Sequence, residues 1–301
     1  MGGQAVVVRA GALGDVLLLR RAVAALRRAH DRVLLIAPGA PGAALVGTGP
    51  AEVDALFAWE RPEVSALFAG AASGPLRERL RETVLTVVYS RSAELARSLG
   101  AAGPRLIVHD PAPAAGVHAS QWLAQPLAAM GLGAPGELEP IRPTPAEADA
   151  ARTILASLPE RFLAIHPGSG SARKNWPPDR FAALAEALAP GRPWLLVEGP
   201  ADANAVAPLA VRPGVVLARG LDPRTLGAVL SRAGLYVGHD SGVSHLAAAW
   251  GAPTLALFGP TDPAVWAPVG TRVRVVRAPE ARMDRLSVEP VLAVARQAVD
   301  C

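Results

Sequence analysis

The stretch LYVGHDSGVSHLAAAWGAPTLALFG, residues 235–259, sets two short apolar runs around the polar turn Asp240, Ser241, Gly242. A short continuous apolar run bounded by turn residues reads as a strand buried on both faces, and SHLAAAW reads as the start of a helix. Strand, turn, helix, strand is the unit of a parallel sheet covered by helices. A turn of this kind lies at the carboxyl edge of the sheet. Open α/β folds bind ligands there, and the free amides of a helix's first turn attract anions such as phosphate. Asp240 or Ser241 suits the helix N-cap, Gly242 lets a ligand approach the backbone, and His245 follows Ser241 by one helical turn. The letters do not make a nucleophile elbow: that motif centres serine in G-x-S-x-G, and in GHDSG Ser241 stands one position late.

Outward from this segment the rhythm repeats. RFLAIHP, PWLLVEGP and VVLARG precede it and VRVVRA follows, each a predicted strand alternating with helical patterns. In the first half AVVVR, RVLLIAP, DALFAWE, TVLTVVYS and RLIVHD do the same. Between the halves, residues 131–149 are rich in glycine, proline and acid, as interdomain connections are. The spacing therefore predicts two α/β domains, 1–145 and 146–301. SVEPVLAVARQAVD is predicted to close the chain as an amphipathic helix that starts after Ser287.

Composition agrees with a soluble globular protein: 301 residues, 51% of them hydrophobic, hold ample material for two cores. The lone cysteine, Cys301, excludes an intrachain disulfide and a zinc-ribbon site. No apolar run reaches the roughly 20 residues of a membrane span. Arg9 and Asp15 break the apolar start, which lacks the order of a signal peptide, so the cytoplasm is the expected location. The net charge of +4 comes from arginine-rich segments such as RRAVAALRRAH and RERLR. They suit an anionic lipid, an anionic cofactor or nucleic acid, and equally suit solvated helix faces in an arginine-biased chain.

Three further loops carry polar groups to predicted strand ends. AIHPGSGSARKNWPPDRF contains Lys174, the only lysine of the chain. A compact ammonium in a protein that otherwise uses arginine suits a diphosphate, with Ser169 and Ser171 as hydroxyl donors and Gly168 and Gly170 freeing the backbone. LLVEGPAD ends a strand on Glu198, whose carboxylate suits the hydroxyls of a ribose. At the amino terminus, VVVRAGALGDVLLL places Gly11 and Gly14 in a tight turn and Asp15 at the start of a helix. There Asp15 serves as an N-cap or as a proton acceptor for an incoming hydroxyl. GLGAPG at 131–136 matches G-x-G-x-x-G but follows a helix and contains Pro135, so it reads as a linker. The histidines show no metal-ligand spacing, and no D-x-D metal motif occurs.

LGD in the first loop, HPGSG and RKNWP in the second half, VEGPAD, and GHDSGVSHLAAAWGAPTLALFGPTDP together resemble glycosyltransferase family 9, best known for the ADP-heptose:lipopolysaccharide heptosyltransferases. The resemblance implies the GT-B fold: two Rossmann-like domains, each with a parallel sheet, and an active site in the interdomain cleft. It implies Asp15 as general base and Lys174 as the catalytic cation on the donor diphosphate. Ser169 and Ser171 fall beside phosphate, Glu198 beside the nucleoside, and Asp240, Ser241, Gly242 and His245 in the donor motif. Gly14 and His118 fall on the acceptor side, and the last helix, about 286–300, is expected to pack back on the N-terminal domain. The implied reaction is inverting and needs neither metal nor cofactor. A nucleotide-sugar, ADP-heptose, is the expected co-substrate, and a glycan or lipid-linked acceptor of the lipopolysaccharide core the expected partner. A monomer without nucleic acid is expected, in peripheral contact with anionic membrane at its inner face.

Physical chemistry points the same way. Displacement at an anomeric carbon builds negative charge on the departing diphosphate, and without a metal motif a lysine and helix amides must hold it. Two departures stand out. Arg20 and Arg21 occupy the place of a threonine-proline element, which alters the acceptor side, and VVYSRSAELARSLG replaces the usual aspartate-leucine-glutamine-glycine strand end. A sugar-nucleotide epimerase and a non-catalytic nucleotide-sugar-binding protein share the same pocket chemistry.

Overall fold

Among the described residues eleven strands form where the apolar runs predict them. The computed structural model describes residues 2–70, 72–103 and 105–299, which divide into two units, 1–141 and 142–301. In the first, β1 (Gln4–Arg9), β2 (Arg32–Ala37), β3 (Ala55–Ala58), β4 (Thr83–Tyr89) and β5 (Leu106–His109) make a parallel sheet in the order β3-β2-β1-β4-β5. In the second, β6 (Leu163–His166), β7 (Trp194–Glu198), β8 (Val215–Arg219), β9 (Leu235–His239), β10 (Thr254–Phe258) and β11 (Val273–Arg277) make another, in the order β11-β10-β9-β6-β7-β8.

Both sheets start in the middle, build to one side, then reverse. The reversal falls between β1 and β4 in the first unit and between β6 and β9 in the second. At such a point consecutive crossovers leave toward opposite faces, so a crevice opens at the carboxyl ends of the two central strands. The loops after β1, β6 and β9 occupy these places.

The apolar content of each strand follows its position. Every residue of β1, β6, β9 and β10 is buried, whereas the edge strand β8 buries Ala218 alone. In the second unit Ile165, Val237, Leu255 and Leu257 pack with Trp176 and Phe181. The closing helix, Val288–Val299, lays Val291, Ala295 and Ala298 into this same core and packs on the helix Pro178–Leu188. Its buried face completes the core of the second unit.

In the first arginine-rich segment most of the guanidinium groups are engaged with the rest of the unit. Within the helix Arg20–Arg27, the buried Arg20 donates to the carbonyl of Glu139, and Arg21 donates to the carbonyls of Pro135 at 3.0 Å and Gly136 at 3.3 Å. Arg28 reaches Gly133 at 3.4 Å, and Arg27 pairs with Asp54 at 2.6 Å. A proline- and glycine-rich connection has carbonyls that no ladder satisfies, and the guanidinium fork supplies the donors. The two arginines that depart from the family pattern therefore fasten the segment leading to the second unit. Burial pulls the Arg20 guanidinium down to about 10, against the opposing pull of Glu52. Arg20→Met is expected to lower the unfolding free energy by about 2 kcal/mol, the loss of a buried charge-assisted bond. Arg28→Met, at an exposed site, should change it by less than about 0.5 kcal/mol. Denaturant titration of the two variants checks the contrast.

Candidate active site

In the second unit the chain leaves β6 through residues 167–177, turns at Ala172–Lys174, and enters the helix Pro178–Leu188. His239, the last residue of β9, fastens this loop at both ends. The Trp176 amide donates to His239 Nε2 at 2.7 Å, and His239 Nδ1 faces the Gly168 carbonyl at 3.3 Å. Since Nε2 accepts, the ring hydrogen sits on Nδ1 and points at Gly168. The ring is wholly buried and packs edge-on to Phe181. Burial pushes its pKa down to about 3, so it is neutral.

The clip carries Lys174 to the turn after β9. Its Nζ donates to Asp240 Oδ2 at 2.7 Å, and the same oxygen accepts from Thr261 Oγ1 at 2.8 Å. Residues 66 positions apart thus meet at the reversal point of the sheet. An ammonium carries three donors, and the bond to Asp240 uses one of them.

Ser241 occupies the N-cap position of the helix Gly242–Ala249 in an extended conformation, yet its side chain makes no cap bond. Ser241 is thus the N-cap residue by position, one of the two the sequence suggests, without the side-chain bond of a cap. The Ser241 hydroxyl instead lies 3.3 Å from His166 Nδ1, and His166 Nε2 lies 2.8 Å from Asp202 Oδ2. A helix start without a side-chain cap, beside an ammonium, is an anion-binding arrangement. Gly242 opens the helix, and His245 is buried within its first turn.

Other expected donor-side residues have internal work. Ser169 Oγ bonds to the Ser171 carbonyl at 2.8 Å and to Asn175 Oδ1 at 2.6 Å, and it accepts the Ser171 amide at 3.3 Å. Its hydroxyl therefore shapes the lysine loop. Glu198 stands at the carboxyl end of β7 as expected, with its carboxylate bonded to Arg219 at 2.7 Å.

In the first unit Asp15 lies at the matching reversal point. It is the third residue of the helix Leu13–Leu17, whose N-cap is Ala12, so the reading of Asp15 as N-cap is corrected. Its Oδ2 accepts the Ala12 amide at 3.0 Å, and its Oδ1 accepts Arg9 Nη2 at 2.9 Å. Arg9 is buried at the end of β1 and also holds the Pro111 carbonyl at 3.1 Å. Gly11 alone supplies the turn: its φ is 138°, and a Cβ there would meet the Asp15 side chain at 2.6 Å. Gly14 is an ordinary helical residue. His118 caps the helix Ala119–Ala128, with Nδ1 accepting the Ser120 amide at 3.3 Å.

His166, Asp202, His239, Thr261 and Arg9 were not singled out from sequence. His166 and Asp202 lie inside the loop motifs HPGSG and VEGPAD, within three residues of Gly168 and Gly199, and that proximity was the available signal. Among the described residues no group of three or more His, Cys, Asp or Glu side chains gathers as a metal site, and no helix is long and apolar enough to cross a membrane.

The neutral, buried His239 has a pH consequence. An unfolded histidine takes up a proton below about pH 6.5, while the native ring resists it down to about 3. The unfolded state binds the extra proton in that window, so the contribution is intact above pH 6.5 and is lost toward pH 3. Stability should fall on acidification with a slope reaching about 1.4 kcal/mol per pH unit from this group. His239→Gln should flatten the slope by about one proton, read from urea melts across the acid range.

Residues 123–292, more than half of the chain, match the sequence model of Glycosyltransferase family 9 (heptosyltransferase). Over 120 residues the chain is 34% identical to "Lipopolysaccharide heptosyltransferase 3" of Escherichia coli, covering 38% of this chain and 35% of that protein. The match thus spans about a third of the curated relative's length. A glycosyl transferase family 9 structure from Veillonella parvula DSM 2008 superposes with a TM-score of 0.81 at 19% identity, covering 99% of this chain and 97% of that one. The E. coli ADP-heptose lps heptosyltransferase II does so with a TM-score of 0.77 at 19% identity, covering 98% of each chain. These structures share the two-sheet GT-B fold. The matched stretch takes in the lysine loop, the turn after β9 and the start of the closing helix, and by it the chain belongs to glycosyltransferase family 9.

Proposed function

We propose that the chain is an inverting glycosyltransferase that moves a sugar, heptose from ADP-heptose, to a glycan or lipid-linked acceptor of the lipopolysaccharide core. One observation carries the reading. The chain's only lysine is bonded to Asp240 at 2.7 Å, beside an uncapped helix start at the reversal point of a six-stranded parallel sheet. The activities named for the relatives, a lipopolysaccharide heptosyltransferase and an ADP-heptose lps heptosyltransferase, support the choice of sugar and donor.

The roles follow from charge. The donor's bond from anomeric carbon to phosphate oxygen breaks, and its electron pair leaves on the diphosphate. Lys174 and the first-turn amides of the helix Gly242–Ala249 meet that charge, each charge-assisted contact contributing about 1.5–3 kcal/mol. The acceptor oxygen forms the new bond from the opposite side of the ring, and its proton passes to Asp15. Two donors hold the Asp15 carboxylate, Arg9 and the Ala12 amide, and its side chain is 34% exposed, so it is fixed in direction and open to an acceptor. In this reading Glu198 takes the nucleoside, no metal takes part, and the enzyme works as a cytoplasmic monomer at the inner membrane face.

Thermal-shift measurements against ADP-, UDP-, GDP- and dTDP-sugars identify the donor, since a ligand of the folded state raises the melting temperature. ADP-heptose is expected to give the largest shift, and a larger shift with another base overturns that choice. Asp15→Asn should lower transfer by about 10²- to 10⁴-fold, the usual contribution of a general base, with donor affinity retained. Undiminished transfer by the variant removes Asp15 from that role. Turnover of donor without any acceptor would instead favour an epimerase, and transfer sustained in EDTA supports the metal-free step.

A further inference from the structure

His166 ends β6, Asp202 and Ser241 stand at the starts of the helices that follow β7 and β9, and the three form one chain of hydrogen bonds beneath the turn after β9. The links are 2.8 Å from Asp202 Oδ2 to His166 Nε2 and 3.3 Å from His166 Nδ1 to Ser241 Oγ. The side chains of His166 and Asp202 are 3% and 9% exposed. Room for the carboxylate is built in: a Cβ on Gly168 would lie 2.0 Å from Asp202, and one on Gly199 would lie 2.4 Å from it. Burial alone would raise the Asp202 carboxyl, but the bonds from His166 and from the Gly199 amide outweigh it and hold the group below the usual carboxylate range. Asp202 is therefore an ionised acceptor, and His166 Nε2 carries a hydrogen toward it.

The other ring nitrogen decides what Ser241 can do. If Nδ1 holds a lone pair, it takes the hydroxyl hydrogen of Ser241. The serine then shows only oxygen lone pairs to the turn, and an arriving anion meets an acceptor. If Nδ1 holds a proton, it donates to Ser241 Oγ, and the hydroxyl hydrogen turns outward.

We infer that His166 and Asp202 are positioning residues that act through Ser241: a diphosphate entering the turn at 240–242 draws one proton from solvent onto His166 Nδ1, and the imidazolium held by Asp202 aims the Ser241 hydroxyl at a phosphate oxygen. The inference rests on the donor site proposed above. One proton is gained, no covalent bond between heavy atoms changes, and the site becomes more positive by one unit as the anion arrives. His239 and Tyr236 do not compete for the proton. Burial keeps His239 neutral and raises the Tyr236 phenol, so both stay as they are. Lys174 and Asp240 are already paired. Histidine is the side chain whose charge such a small change of surroundings switches near neutral pH.

Calorimetric titration of the whole protein with ADP, and separately with inorganic pyrophosphate, tests the proposal in buffers of different ionisation enthalpy. Measured with ADP at about pH 8, where its terminal phosphate is fully ionised, the heats should report uptake approaching one proton per bound ligand; pyrophosphate, which still holds a proton at that pH, is read for affinity alone. His166→Gln should bind more weakly and lose the uptake. Ser241→Ala, which leaves the buried His166 and Asp202 pair in place, should lose it too and serves if the first variant does not fold. Binding with no more uptake than these variants show overturns the inference and leaves the donor site standing. Failure of both ADP and pyrophosphate to bind, by heat and by thermal shift, overturns both.

Discussion

A neutral imidazole with no access to water holds the donor side of this molecule together. His239 accepts from the Trp176 amide and faces the Gly168 carbonyl, the two ends of the loop that carries Lys174. A loop rich in glycine and serine has many conformations to lose on ordering. Two hydrogen bonds to one rigid ring, which ends a fully buried strand, confine it. Trp176 adds a third fastening through its indole, which donates to the Leu286 carbonyl at 2.7 Å, and Arg180 donates to the same carbonyl at 2.6 Å. The ammonium is thereby delivered to Asp240 by the packing of the core.

The same logic operates in the first unit with different residues. A buried arginine ends the central strand, and its guanidinium, not an imidazole, fixes the functional group. In both units the polar device sits where the strand order reverses, and in both a glycine makes the room: Gly11 under Asp15, Gly168 beside Asp202. A chain that buries so much of its central strands can expose polar groups at their carboxyl ends alone, and there the crossovers diverge.

All eleven strands were legible because each is a short apolar run bounded by glycine, proline or acid, and the parallel class followed from their two-sided burial. Asp240, Ser241 and Lys174 were legible because they interrupt those runs at strand ends. What the sequence hid were roles set by partners far along the chain. Ser241 looks like a side-chain cap until its hydroxyl is found on His166, 75 residues away. Arg20 and Arg21 look like a basic surface, and the carbonyls they hold lie more than 100 residues away. Periodicity records which face is buried; it does not record which polar atom waits there.

The central claim is that Lys174 and Asp240 form one device for an anion. A double-mutant cycle of Lys174→Met and Asp240→Asn, read by the dissociation constant for ADP, tests it most directly. The account predicts that the two losses fail to add, with a coupling of roughly 1 kcal/mol or more. Losses that add within about 0.3 kcal/mol, or unchanged affinity when the ammonium is removed, would contradict it.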